Sequence, residues 1–205
     1  MNWYIFFVKT GDELCVKDWL NKTFDRETLY SIVPKRIVPE KKNGELLYVE
    51  KNLFPSYIFV KAVMDFSTYY LIKRNSKIIK MLNYLNKEDL TCHRLASAQN
   101  KRSAVPAIDK EELYFKKIPE EEMSVILKLL NQEEEINFSK VYTIESKVYV
   151  ESGPLKGLEG IIKKINKHTR RAKVLVSLMG DQRIVELGIE LIEPVGSREL
   201  NPAII

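Results

Sequence analysis

Phe54-Pro55-Ser56-Tyr57-Ile58-Phe59-Val60-Lys61-Ala62-Val63 is the stretch that decides the fold. It is a β-branched and aromatic run opened by a Pro-Ser turn, the composition of a central strand. Outward from it, Trp3–Val8 is a second short apolar run, long enough for a strand covered on both faces and too short for a buried helix. Between the two, Thr10-Gly11-Asp12-Glu13 has the form of a capping box, and Cys15, Val16, Trp19, Leu20 and Phe24 follow at helical spacing. Cys15 is read there as a small buried hydrophobe. The extended runs Tyr30–Pro39 and Glu45–Glu50 flank Asn43-Gly44, a strong hairpin signal. A short helix over Ser67–Arg74, a strand over Ile78–Leu85 and a helix opened by Pro119 with Glu120, Glu121 and Glu122 complete the mixed part. Met123, Ile126, Leu127 and Leu130 give that last helix one apolar face.

Beyond the acidic Glu133-Glu134-Glu135 the period changes. Short strands at Lys147–Val150, Gly160–Lys164, Ala172–Leu178 and Gln182–Glu186 are punctuated by Gly153-Pro154, Gly157, Asn166–Arg170 and Gly180-Asp181. Close-set strands with tight turns fit a small β-barrel. The class is therefore α+β, with an acidic linker between a mixed domain and an all-β one. Charge marks the same boundary, since residues 111–140 are net acidic and the chain on either side is net basic.

At 205 residues and a net charge of +5, the chain has room for one or two domains and leans toward a polyanionic partner. No apolar run reaches the roughly 20 residues of a spanning helix, and the start lacks a signal peptide's cationic lead, so a cytoplasmic protein that does not enter membranes is expected. Two cysteines, Cys15 and Cys92, far from any CxxC spacing, argue for reduced thiols and against a disulfide scaffold or cysteine-rich metal site. Paired catalytic carboxylates, a nucleophile beside a base and a phosphate-cradling loop are all missing from the pattern. Gly153–Gly160 is glycine-spaced but lacks the Gly-Lys-Ser/Thr ending and runs into β-branched residues. Cys92 with His93 falls short of a ligand set. The expectation is a binding protein with no catalytic residue, cofactor or metal; a hydrolase or transferase using Cys92 and His93 is the enzymatic alternative.

One run carries chemistry. Lys163, Lys164, Lys167, Arg170, Arg171 and Lys173, with His168 among them, straddle an expected hairpin, and no acid lies between Glu159 and Asp181. Ile161, Ile162, Ile165, Val174 and Val176 would supply its buried side. The same pattern serves a merely soluble hairpin or a phosphate-gripping one. Little aromatic interleaving makes structured RNA or a duplex a better fit than stacked single strands. In the first domain, Phe7, Phe54, Tyr57 and Phe59 are either core or one incompletely covered aromatic sheet face, a groove for an amphipathic helix.

Trp3-Tyr4, Phe54–Val60, and Leu71-Ile72-Lys73 ahead of Ile78–Leu82 resemble the N-terminal (NGN) domain of NusG-type transcription elongation factors. Lys147–Val150 with Gly153-Pro154, Gly157 and Gly160-Ile161-Ile162 resembles the KOW motif that follows it in that family. The resemblance implies an antiparallel NGN sheet flanked by helices over 1–132, an acidic linker over 133–142, a small SH3-like KOW barrel over 143–194 and a tail over 195–205. It implies that Phe7, Phe54, Tyr57 and Phe59 line a depression for the β′ clamp helices of RNA polymerase. It also implies that Lys9, Lys73, Arg74 and Lys77 face non-template or upstream DNA. The basic hairpin and the long 86–117 segment look more like the family's specialised LoaP branch. In that branch a KOW domain binds a nascent RNA hairpin, here through Lys163, Lys164, Lys167, His168, Arg170, Arg171 and Lys173, and the factor, a monomer, suppresses pausing and termination. The alternatives are a general factor whose KOW domain binds proteins, such as a small-subunit ribosomal protein or Rho, and a ribosome-associated KOW protein. Because Val148, Val150, Ile161, Val174 and Val176 are β-branched, the second domain is expected to be a stable β structure and not to refold as helices.

Overall fold

The computed structural model describes residues 1–82, 114–145 and 147–193. These fall into two compact units, one of the described residues within 1–33 and 54–123 and the other of those within 34–53 and from 124 on, so the second is discontinuous in sequence.

In the first unit β1 (Asn2–Val8), β2 (Leu29–Ile32), β5 (Tyr57–Ala62) and β6 (Ile78–Met81) make one antiparallel sheet in the order β2-β5-β1-β6. The decisive stretch is indeed its centre. Pairing of Tyr4 with Val60 and of Phe6 with Ile58 places these residues on one face with Val8, Leu29 and Ala62. Together with Val16 and Leu20 of α1 (Glu13–Thr23) and Tyr69 and Ile72 of α2 (Phe66–Ile72) they form one buried cluster. Period 2 on the strands and period 3.6 on α1 thus meet in one core. Phe115 joins it, its ring 5.2 Å from Phe66 and 5.5 Å from Tyr69.

The expected capping box is not formed. Asp12 is the N-cap but makes no side-chain capping bond, and Glu13 is the first helical residue, only 3% exposed. Its carboxylate accepts from the backbone N–H of Gly11 at 2.8 Å and of Ser56 at 2.7 Å, while Thr10 Oγ1 pairs with Ser56 Oγ at 2.7 Å. Ser56 sits at φ +69°, a left-handed conformation that a serine holds only when its surroundings determine it. Glu13 supplies that determination. Cys15 is a second correction: it is exposed, with Lys77 Nζ 3.2 Å from its sulfur. The helix buries Val16 and Leu20 instead, one position round from where Cys15 would need to be.

In the second unit Asn43 and Gly44, both with positive φ, join β3 (Lys35–Lys42) to β4 (Glu45–Asn52) as the hairpin signal required. The run Tyr30–Pro39 does not stay one strand, however. It breaks at Val33-Pro34 between β2 and β3, which belong to different sheets. β3 also pairs in parallel with β7 (Glu135–Ile136), and β8 (Ser139–Ile144) pairs in parallel with β12 (Asp181–Leu191). Residues 133–142 therefore hold strand structure where an acidic linker was expected. The five-stranded sheet runs β10-β11-β12-β8-β9, with β9 at Lys147–Ser152, β10 at Ile162–Asn166 and β11 at Arg171–Leu178. This is the β structure expected of the second domain. Gly153 has no room for a side chain: an added Cβ would lie 2.6 Å from Phe138 O and Ser139 Cα. The turn after it packs on β8, Ser139 Oγ accepting from Leu155 N at 3.0 Å. The glycine spacing of this segment serves that close approach.

The division between the units falls inside α3 (Glu120–Leu129), which follows Pro119 as expected. Its buried residues are Met123, Ile126 and Leu129; Leu127 is exposed, which corrects the sequence assignment by one helical step. Tail residues, Cys92 with His93, most of the 86–117 segment and the end of the Ile78–Leu85 run lie outside the described residues. Among the described residues no helix is long and apolar enough to cross a membrane, and no His, Cys, Asp or Glu cluster could hold a metal.

Asp65 caps α2, its carboxylate accepting from Thr68 N at 2.6 Å. That backbone bond, the largest influence, holds its pKa below the ordinary value of 3.8. A depressed folded pKa means a contribution present above 3.8 and lost as pH falls through the folded value. Asp65→Ala is expected to lower stability by about 1 kcal/mol at neutral pH, with the deficit shrinking below the ordinary value. Asp65→Asn, which caps without titrating, should remove most of that pH dependence. Urea unfolding of the three proteins across pH checks this.

Candidate nucleic-acid interface

The basic run folds as expected into a hairpin of β10 and β11. Ala172, Val174, Val176 and Leu178 alternate inward and are buried, so Lys173 and its outward neighbours are forced to the surface. Ile161, Ile162 and Ile165, expected to be buried, are only half-buried, Ile161 lying in a short 3-10 turn before the strand. A register shift between Ile162 and Lys164 puts Lys163 in a bulge. The turn is fixed by its own groups: Asn166 Oδ1 accepts from Thr169 N at 3.0 Å, and Arg170, at φ +50°, offers its carbonyl to Ile189 N at 3.0 Å.

Lys163, Lys164, Lys167, His168, Arg170 and Lys173 are all exposed, and no side-chain hydrogen bond or ion pair holds them among the described residues. Lys164 stands directly opposite Lys173, an unfavourable like-charge pair. Across the other side of β11, Lys173 is in register with Glu186.

Arg171 is different. It is partly buried and fully engaged: Nη1 donates to Glu186 Oε2 at 2.9 Å and Nη2 to the carbonyl of Pro39 at 2.7 Å, with Glu40 Oε1 3.5 Å away. It therefore ties β3 to the β11–β12 face. Arg36 reinforces the tie by donating to the Glu186 carbonyl, and burial lowers its pKa ahead of any charge effect. Gly188 lets the two layers close, since a Cβ there would meet Ile37 O at 2.6 Å and the Phe138 ring at 2.5 Å.

Between the β3–β4 hairpin and the β10–β11 turn lies a cleft of about 500 Å³ lined by Pro39, Glu40, Lys41, Leu46, His168, Thr169 and Arg171. Glu40 accepts from Lys51 through Oε1, and that bond is the main reason its carboxyl is held below the usual range. Sequence reasoning located the hairpin turn but not Glu40 or Lys41 as neighbours of the basic run. Nothing local signals a contact across 132 residues.

The residues singled out in the first unit fall into two kinds. Phe54 and Phe59 are buried, their rings 5.7 Å apart. Phe7 and Tyr57, paired in register on the same face, are half-buried with rings 5.7 Å apart. Among the cations, Lys73 Nζ donates to the carbonyls of Ile78 and Ile79, and Lys77 pairs with Asp12 at 2.7 Å, which raises its pKa. Lys9 and Arg74 are exposed.

The arrangement defines a mixed α+β unit joined to a β unit that carries an exposed cationic hairpin. Residues 1–99 match the NusG family model, described as transcription termination factor NusG. Over 199 residues the chain is 25% identical to the transcription termination/antitermination protein NusG of Halalkalibacterium halodurans, covering 95% of this chain and 98% of that protein. Over 194 residues it is 25% identical to the protein of the same name from Bacillus subtilis, covering 91% and 94%. A solved structure, titled for domain interaction in Thermotoga maritima NusG, aligns with a TM-score of 0.45 and 19% identity, covering 91% of this chain and 93% of that one. Residues 1–99 thus resemble the NusG family model, and similarity to NusG proteins at about a quarter identity extends along nearly the whole chain.

The two kinds of cation should separate in stability. Arg171→Ala is expected to cost about 2–3 kcal/mol, because it leaves Pro39 O and Glu186 without their charged donor. Lys163→Ala, Lys164→Ala and Arg170→Ala should each stay within about 0.5 kcal/mol of the parent. Denaturant unfolding of the four variants tests the distinction.

Proposed function

We propose that this protein is a NusG-type transcription antitermination factor, with its first unit on RNA polymerase and its second on a structured segment of the nascent RNA. The observation that carries the RNA assignment is the hairpin: five exposed Lys and Arg side chains and His168 spread over its two strands and its turn, the turn held by Asn166 Oδ1 on Thr169 N and by the Arg170 carbonyl on Ile189 N. Backbone held in this way presents its cations to phosphates without the hairpin first having to be ordered. The cytoplasm is the corresponding site of action, and recruitment through RNA is the LoaP-like form of the family's work.

On the polymerase side, Phe7 and Tyr57 offer partly open rings, with Phe54 and Phe59 buried and packed on each other, a surface suited to the clamp helices of β′. Lys9 and Arg74 are the cations available to DNA; Lys73 and Lys77 act first within the fold. A factor that binds only the closed clamp shifts the polymerase population toward it and so suppresses pausing.

A specific observation favours a second reading, a barrel that binds protein. Ile184 is 62% exposed and stands opposite Leu175 on the outward side of β11–β12. An apolar pair in that position suits a protein partner better than RNA.

Titration of the full chain with structured leader RNAs over a salt series decides between them. RNA recruitment predicts tight binding to one hairpin with a steep negative salt slope, flattened by combined Lys163→Ala, Lys164→Ala and Arg170→Ala. Arg171 is left intact because it holds the fold. Weak binding that ignores both hairpin and substitutions would move the assignment to a general factor with protein partners for the second unit.

A further inference from the structure

The cleft beside the basic hairpin rests on the RNA-binding reading and sharpens it. We propose that this cleft receives one unpaired guanosine of the bound RNA, with Glu40 reading the Watson–Crick edge of its base.

Three features point there. The cleft, about 500 Å³, is in the range of small-ligand pockets and opens beside the exposed cations Lys41, Lys167 and Arg170. Pro39 and Leu46 give it apolar walls, while His168 and Thr169 belong to the turn that carries the phosphate-binding charges. Glu40 then sets its selectivity. Its Oε1 is taken by Lys51 and neighbours Arg171, and its Oε2 has no partner among the described residues. The Lys51 bond keeps the group ionised, so it can only accept hydrogen bonds.

A lone carboxylate in a cationic rim sorts the parts of a nucleotide. Phosphate is held at the lip by Lys41 and its neighbours, because the donors of Arg171 inside the cleft are already spent on Pro39 O, Glu186 and Glu40. A base that turns inward must present donors to Glu40. Guanine offers two adjacent ones, N1–H and N2–H; adenine and cytosine offer one exocyclic amine, and the single N3–H of uracil is flanked by two carbonyl oxygens that face the carboxylate badly. Splayed unpaired bases are also where proteins read RNA sequence, because the A-form major groove is too narrow for side chains. The hairpin cations thus supply affinity for an RNA stem, and the cleft supplies the choice of which stem.

The test is fluorescence anisotropy with the full chain and a panel of short RNA stem-loops. Each carries one unpaired G, A, C or U at successive stem or loop positions, or none, and each is titrated across salt. The expected result is that at one position unpaired G binds about tenfold more tightly than A or U, with the salt slope the same for all bases. Glu40→Gln should erase the G preference without weakening binding to the fully paired stem. Leu46→Trp, which fills the cleft from a half-buried position, should erase it independently, and thermal melts of both variants verify folding. Steep salt-dependent binding that is indifferent to the unpaired base would overturn the cleft assignment and leave RNA binding standing. Absence of salt-dependent binding to any stem-loop, unchanged by Lys163→Ala and Lys164→Ala, would overturn both. Free guanosine monophosphate that binds as tightly as the stem-loop, and is lost in Leu46→Trp, would overturn the RNA source and make the cleft a free-nucleotide site.

Discussion

The guanidinium of Arg171 is the junction on which the second unit depends. It stands in the middle of the most cationic stretch of the chain, yet its donors are spent on Pro39 O, Glu40 and Glu186. Through it a hairpin from residues 35–52 becomes one wall of a cleft whose other wall is the β10–β11 turn. A lysine could not do this, since the geometry uses the planar fork to reach a carbonyl and two carboxylates at once. Gly188 and Arg36 serve the same closure, one by leaving space for Ile37 O and the Phe138 ring, the other by donating beneath Glu186.

In the first unit Glu13 has the corresponding role. By joining Gly11 N to Ser56 N it fixes the start of α1 against the turn that opens β5. That turn also sets the register in which Tyr57 meets Phe7. Both units use a charged side chain, largely withdrawn from solvent, to hold backbone from distant parts of the chain.

Much of this was legible in the sequence. The apolar runs at Trp3–Val8 and Tyr57–Val63 became adjacent strands because alternation and β-branching are local properties that the sheet simply satisfies. The Asn43-Gly44 turn and the basic hairpin were legible for the same reason. What the sequence hid was long-range. Val33-Pro34 divides an extended run between two sheets, and no local signal says so. Glu13 looks like a capping residue, but Ser56 claims it from 43 residues away. Arg171 reads as one more cation until its partners appear 132 residues earlier. Cys15 and Leu127 were misplaced by one helical step, since a short amphipathic helix can be rotated that far before its pattern objects. Of the four aromatic residues named for a docking surface, burial separates Phe54 and Phe59 from Phe7 and Tyr57, and spacing could not.

The discontinuity of the second unit gives the protein a timetable. Strand β3 is complete once residue 42 is made, and it can close a hairpin with β4 at once. Its parallel neighbour begins at Glu135, however, and its firmest anchors, Arg171 and Glu186, come later still. The first unit can complete its sheet with β6 while the other strands of the second unit are still unmade. Contacts of such separation form late and slowly. A nascent chain leaving the ribosome N-terminus first therefore carries an unclaimed two-stranded ribbon through most of its synthesis. The cleft comes late, assembled only when early and late segments finally meet.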